Sequence, residues 1–358
     1  MEHVNPNQRD QAKLDAMLAR AVGDLSAGYG GVMVSLGHRL GLYRAMAGAG
    51  PLSSREVAKR AGCAERYVRE WLNSQVAGGY VDYHASSETY ELTPEQAFVL
   101  ADENSPAFIP SAWSVPASMW ADEEKAVTAF RTGNGIPWGD HDGRLSCGVA
   151  AFYRNAYRGS LVSEWLPALD GVASKLKAGA RVADIGCGHG HSTLLMAEAF
   201  PASTFSGFDT HPQSIGIARA HAVKESLDTR ALFETANASD FPGGKYDLIC
   251  FFDCLHDMGD PLAAAQQAAK QIAPDGTVML VEPFANDRVE DNVSPVARLY
   301  YAASTTICCA HAISEGGRMV LGAQAGEARL AQVFRKAGFT KFRRALATPF
   351  NLILEARL

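Results

Sequence analysis

The chain is short of several things, and each shortage removes a class of function. No apolar run approaches the ~20 residues that a membrane-spanning helix needs, which predicts a chain that does not span a bilayer. The opening Met1-Glu2-His3-Val4-Asn5 offers neither a basic segment nor an apolar one, so no secretory leader is expected. Cysteine is scarce and badly spaced for pairing: there are seven in 358 residues, an odd number, with no Cys-x-x-Cys pair. That pattern argues against a disulfide framework or a zinc site and fits buried or free thiols in a reducing cytoplasm. Basic charge is in deficit, with 33 Lys and Arg against 39 Asp and Glu, net −6. Nucleic-acid binding needs clustered cations to neutralise phosphates, so the balance weighs against it.

What is present is organised around residues 181–193, Arg-Val-Ala-Asp-Ile-Gly-Cys-Gly-His-Gly-His-Ser-Thr. The apolar residues Val182, Ala183 and Ile185 run into Gly186, Gly188 and Gly190, and a helical pattern with Leu194, Leu195, Met196 and Ala199 follows. Strand, glycine turn and helix form the entry to a nucleotide-binding α/β unit. Such a turn lets a ligand approach the backbone, and the helix start behind it offers free N–H groups to an anion. A dinucleotide fingerprint would have its third glycine where His191 stands. Asp184, two residues before Gly186, would repel a pyrophosphate and suits a ligand carrying a cation. The stretch Asp184-x-Gly186-x-Gly188-x-Gly190 resembles motif I of the class I S-adenosylmethionine methyltransferases. A nicotinamide-dependent oxidoreductase is the competing reading, and it suffers from both departures.

Downstream, strand and helix alternate as in a parallel sheet. The strand Thr204–Asp209 ends in a carboxylate nineteen residues beyond Gly190, placed to accept the ribose hydroxyls of an adenosine, with Thr210 beside the adenine edge. A third strand leads to Asn237-Ala238, where the family usually has Asp-Ala to read adenine; the resemblance gives Asn237 that contact, against the alternative of a turn residue. The fourth strand, Tyr246–Asp253, reads as buried on both faces. The resemblance puts Asp253 near the sulfonium or the amine of the cofactor. Leu255-His256-Asp257-Met258 resembles the His-Asp-Trp segment of phenolic O-methyltransferases, which implies His256 as general base. A histidine that holds the strand-to-helix loop is the alternative. A long excursion, 285–324, containing Tyr300, Tyr301, Cys308, Cys309 and His311, is expected to form a lid. A closing hairpin, 341–346 and 350–356, completes the family pattern of a seven-stranded, mostly parallel, Rossmann-like sheet.

The front of the chain reads differently. Helical periodicity covers 11–48, with Gly28, Gly30 and Gly31 expected to break it into two helices. Ser53 and Glu56 spell a capping box, a second helix runs from Glu65 to Ala77, and two short strands follow around Ala85-Ser86-Ser87. The order resembles a winged helix. From Arg39 to Glu103 there are seven basic and nine acidic residues, and the would-be recognition helix balances Arg66 and Arg69 against Glu65 and Glu70. A groove-reading helix would be distinctly basic, so dimerisation is favoured over DNA binding. The resemblance implies the same: small-molecule O-methyltransferases use such a domain to pair two subunits and roof the substrate site. The expected division is 1–105 for the winged helix, 106–165 for an aromatic connector and 166–358 for the cofactor domain. In the connector, Tyr153, Arg154 and Tyr157 are the residues that the resemblance brings to the methionine end. The sequence thus predicts a cytoplasmic, homodimeric S-adenosylmethionine-dependent methyltransferase, yielding S-adenosylhomocysteine and acting without metal on a small, apolar or aromatic acceptor. The alternative is a winged-helix regulator that keeps S-adenosylmethionine or its product as a signal.

Overall fold

A computed structural model describes residues 9–358; Met1–Asn5, read above for a leader, lie outside the described residues. The chain separates into two compact units with the boundary between Ser114 and Val115.

The first unit opens with a long helix, α1 (Gln11–Arg39), whose N-cap Asp10 accepts from the amides of Ala12 and Lys13. It runs straight through Gly28, Gly30 and Gly31, contrary to the expected break. Tertiary packing outweighs the helix cost of glycine, about 1 kcal/mol each: a Cβ at Gly31 would overlap the Trp113 ring, and one at Gly37 would strike Trp71 and Tyr43. The chain turns instead at Gly41, whose φ of 69° is left-handed, into α2 (Leu42–Met46). Helices α3 (Ser54–Ala61) and α4 (Glu65–Ala77) follow, α3 with the expected reciprocal capping box between Ser53 and Glu56. The wing is the antiparallel pair β1 (Asp82–His84) and β2 (Thr89–Glu91), closed by α5 (Pro94–Leu100). Leu42, Tyr43, Val57, Leu72 and Trp71 form its core. On α4, Arg66 pairs with Glu70 at 2.6 Å and Arg69 with Glu65 at 2.7 Å, so both cations are satisfied within the helix. The N-terminal half of α1 is exposed along its whole length.

The second unit starts within α6 (Ser114–Ala121) and continues through α7 (Glu123–Thr132) to α8 (Arg144–Ser160). A π-helical turn, Leu161–Trp165, carries α8 into α9 (Leu166–Ala168), and α10 (Val172–Ala178) leads to the sheet. The strands are β3 (Arg181–Ile185), β4 (Thr204–Asp209), β5 (Ala231–Thr235), β6 (Tyr246–Phe252), β7 (Ile272–Pro283), β8 (Lys341–Ala347) and β9 (Asn351–Arg357). They form a seven-stranded sheet in the order β5-β4-β3-β6-β7-β9-β8, with β9 antiparallel to its neighbours. Helices α11 (His191–Ala199), α12 (Pro212–Lys224), α13 (Pro261–Gln271) and α16 (Glu327–Lys336) connect them. The excursion after β7 folds into α14 (Pro295–Ala303), a π-helical turn at Ser304–Cys308, and α15 (Cys309–Ser314). Successive strand residues alternate between two cores, as the period of two demands. Val182, Leu248 and Met279 face one with Trp165 and Phe205; Ala183, Ile249 and Leu280 face the other with Phe334. Among the described residues, no helix is long and apolar enough to cross a membrane.

The sheet also fixes the floor of the glycine turn. Gly207 of β4 lies beside Phe233 of β5, and a Cβ there would fall 2.5 Å from the Phe233 ring and 2.9 Å from Cys187 Sγ. Gly207→Ala should therefore cost about 2 kcal/mol of stability through overpacking, readable as a lowered midpoint in urea denaturation.

Candidate functional site

The carboxyl end of β3 gives way to the turn Gly186–Gly190, and the end of β4 holds that turn in place. The amides of Gly186 and Cys187 both donate to the carbonyl of Phe208, at 2.8 and 3.1 Å. Asp209 then uses both carboxylate oxygens on backbone: Oδ2 accepts from Gly188 N–H at 2.9 Å and Oδ1 from His211 N–H at 2.8 Å. Gly186, Gly188 and Gly190 have φ of 71°, 52° and 77°, conformations that favour glycine. From below, a Cβ at Gly186 would lie 2.7 Å from Cys254 Sγ and one at Gly190 2.7 Å from Phe233. At Gly188 it would meet nothing within 4 Å. The loop is thus packed tight on its protein side and open at its middle glycine.

Above it lies a cavity of about 760 Å³, within the usual range for a small-ligand site. It is bordered by Gly186, Gly188, Asp209, Thr210, Asn237, Ala238 and Asp253 of the residues singled out in sequence, and by Tyr153 and Tyr157 of the connector. Asp184 and Gly190 support the loop without bordering the cavity. Asn237 Oδ1 accepts from the amide and hydroxyl of Ser239 at 2.9 and 2.8 Å, so the side chain is a turn former as well as a wall.

Asp184 is completely buried. The hydroxyls of Ser192 and Thr193, in the first turn of α11, both donate to its Oδ2 at 2.6 Å. Its Oδ1 has no donor among the described residues. Burial raises its pKa to about 6, opposed by the two hydroxyls and assisted by Asp209. Asp253 sits at the end of β6 with φ of 50°, a left-handed conformation for a non-glycine residue. It accepts from Tyr157 Oη at 3.2 Å and Asn351 Nδ2 at 2.8 Å. Burial, then the nearby Glu282 carboxylate, push its pKa well above the ordinary carboxylate range. Strain and burial together at one cavity residue are features of functional sites.

His256, expected as the general base, is not in the cavity. Its side chain is buried, with Nδ1 2.5 Å from Glu282 Oε2, and it also bonds the Cys308 side chain. Burial pulls its pKa down, but Glu282 and Cys308 outweigh burial and hold it well above the ordinary 6.5. The structure gives it no opening to the cavity, and its bond to Glu282 suits a brace for the loop after β6, the alternative weighed above, better than a base. The next residue, Asp257, borders the cavity instead, as do His311, Glu315 and Arg318 at the end of the excursion and Trp138 and Val149 of the connector region. Asp257, Glu315 and Arg318 were not assignable from sequence, because nothing in the local pattern separates them from solvated surface charges.

The buried Asp184 makes stability depend on pH. The folded state holds the carboxyl proton up to about pH 6, while the unfolded chain loses it near 3.9. The Asp184 contribution to stability therefore falls as pH rises across that window and is flat on either side. Asp184→Asn should make the ligand-free protein more stable than the parent by about 1–3 kcal/mol at neutral pH, with the difference closing below about pH 4; chemical denaturation at the two pH values measures it.

Comparison with known proteins agrees with this geometry. Residues 28–102 match the model of an Rv2258c-like winged HTH domain, and residues 155–341 match a methyltransferase domain. In sequence the chain is 33% identical over 107 residues to 27-O-demethylrifamycin SV methyltransferase of Amycolatopsis mediterranei, an alignment covering 29% of this chain and 39% of that one. The chain spans less than half the length of the relatives it matches in sequence. In structure it resembles an O-methyltransferase from Nostoc punctiforme (TM-score 0.72, 19% identity, covering 94% and 98% of the two chains). It also resembles human N-acetylserotonin methyltransferase in complex with S-adenosylmethionine (TM-score 0.70, 17% identity, 99% of both). Those likenesses concern the fold. The methyltransferase model, however, takes in more than half of the 358 residues, and the chain belongs to the methyltransferase-domain family, carried behind a winged helix-turn-helix domain.

Proposed function

We propose that the cavity binds S-adenosylmethionine and that the chain transfers its methyl group, preferably to oxygen, on a small apolar or aromatic acceptor, releasing S-adenosylhomocysteine. The observation that carries this reading is the cradle: Gly188 opens into the cavity while Gly186 and Gly190 are closed from beneath, with Asp184 and Asp209 on adjacent strands. Asp209 borders the cavity and Asp184, buried behind the loop, leaves its Oδ1 without a donor, an acidic setting that suits a cationic group and would repel a pyrophosphate. When bound, the cofactor supplies a methyl group already activated by positive charge on sulfur. Asp209 both braces the loop and receives the ribose hydroxyls, while Thr210, Asn237 and Ala238 wall the adenine. Asp253, kept neutral by burial, anchors Tyr157, which stacks on Tyr153 at 5.9 Å; the pair closes the reacting end against water. Positioning and water exclusion are then the main contributions of the protein, with His256 as a fixed cation beneath the loop. In this reading residues 1–105 pair the subunits, 106–165 furnish the acceptor wall and 166–358 hold the cofactor. The seven unpaired thiols support a cytoplasmic setting.

Titration calorimetry tests the cofactor. S-adenosylmethionine and S-adenosylhomocysteine should bind with micromolar affinity and NADH should give no heat, and Asp209→Ala should weaken S-adenosylmethionine at least about 30-fold, roughly 2 kcal/mol. Absence of heat with both sulfur compounds would overturn the proposal.

A homodimer through the first unit belongs to the same reading. Leu14, Leu18, Val22, Leu25, Tyr29 and Val32 recur every three or four residues along one exposed side of α1, with Val22 65% and Tyr29 73% exposed. A seam of that period over five turns is what a second copy of the same helix fits. The paired arginines of α4 favour this role over DNA. Sedimentation should report a dimer at micromolar concentration, and the double change Leu18→Glu with Val22→Glu should yield monomers; a monomeric parent chain would rule the pairing out.

A further inference from the structure

One end of the cavity is built from charges that the cofactor reading leaves unused. Asp257, Asp260, His311, Glu315 and Arg318 line it, and the Trp138 ring meets the His311 ring edge-on with centroids 6.1 Å apart. Three of the five are carboxylates, and their existing bonds are unequal. Asp260 caps α13 through the amide of Ala263 at 2.9 Å and lies 3.5 Å from Arg318, a side chain that is 83% exposed. Glu315 accepts from Gly259 N–H at 2.9 Å, with His311 Nε2 3.6 Å from its other oxygen. The Asp257 carboxylate takes no hydrogen bond or ion pair among the described residues, though it borders the cavity. His311 Nδ1 is buried and likewise has no partner. One cavity-facing carboxylate therefore awaits a donor at this end, in a setting of net negative charge beside an aromatic wall.

We propose that the methyl acceptor is an arylalkylamine held by its ammonium group against Asp257 and Glu315, and that carboxylate-bearing aromatics are rejected. The inference rests on the reading of the cavity as a methyltransferase site and adds the acceptor class to it. An ammonium supplies the N–H donor that Asp257 lacks, and its positive charge is drawn by Asp257 and Glu315. A carboxylate at the same place would face three acids with one solvent-exposed arginine to offset them, a like-charge arrangement that selects against it. Trp138 offers its ring to the cation as well.

Three catechols that differ at one substituent test this: dopamine (an aminoethyl chain), 4-ethylcatechol (a neutral chain of similar size) and 3,4-dihydroxyphenylacetate (an acid). Each is titrated into protein saturated with S-adenosylhomocysteine. Dopamine should bind at least about tenfold more tightly than the acid, with 4-ethylcatechol between them. Asp257→Asn, which loses no hydrogen-bond partner and should not lower the parent's unfolding midpoint, should bring the three together. Equal or tighter binding of the acid, a preference that survives Asp257→Asn, or no heat from any of the three would overturn the acceptor assignment. Failure of S-adenosylhomocysteine itself to bind would overturn the cofactor reading and this assignment with it.

Discussion

The carboxylate of Asp209 is the interaction on which the site depends. It is spent on two backbone amides, Gly188 on the glycine turn and His211 at the start of the next helix. With the Phe208 carbonyl, it makes the end of β4 a clamp on the turn that follows β3. The turn needs a clamp because three left-handed glycines have little intrinsic preference for one shape. The sheet supplies it at no cost in new structure, since adjacent parallel strands end side by side at the ligand edge. Phe233, admitted beneath the turn by Gly190 and Gly207, completes the support.

Around that turn the protein concentrates buried charge. Asp184 and Asp253 are both pushed toward their neutral forms by burial, while His256 and Glu282 are buried as a contacting pair. A carboxyl without enough donors and a strained aspartate are both unfavourable for folding. Asp253 borders the cavity and Asp184 lies behind its loop, so stability is given up around one site before any ligand arrives. The same economy explains why His256 is paired and closed off. A loop that carries Asp257 into the cavity has to be held by something beneath it, and a buried ion pair holds it rigidly.

Local patterns made the sheet and its turn legible in sequence. Buried strands read as apolar runs, the glycines are adjacent, and the distance from Gly190 to Asp209 is set by one helix and one strand. The Ser53–Glu56 capping box was legible for the same reason. What failed was set by distant partners. Gly31 read as part of a helix break because Trp113, which occupies the space it leaves, lies far along the chain, while Gly28 and Gly30 meet nothing within 4 Å. The choice between base and loop brace for His256 could not be read, because its partners Glu282 and Cys308 are 26 and 52 residues away. Whether His256 or Asp257 enters the cavity is a choice between neighbours, made by the short 3-10 turn Leu255–Asp257 that no periodicity announces. The acceptor end was illegible for a related reason: its residues come from the loop after β6, the excursion after β7 and the connector.

The π-helical turn at Ser304–Cys308 bears on how that end is aimed. Such a turn accommodates one residue more than the surrounding helix, and each residue of an α-helix advances the side-chain direction by roughly 100°. His311, three residues past the turn, owes its bearing toward the cavity to that single extra position. A homologue lacking it would keep the helix, yet present a different set of side chains to the cavity. Selectivity in this architecture can therefore change through the gain or loss of one backbone unit, which exchanges the side chains facing the ligand without substituting any of them.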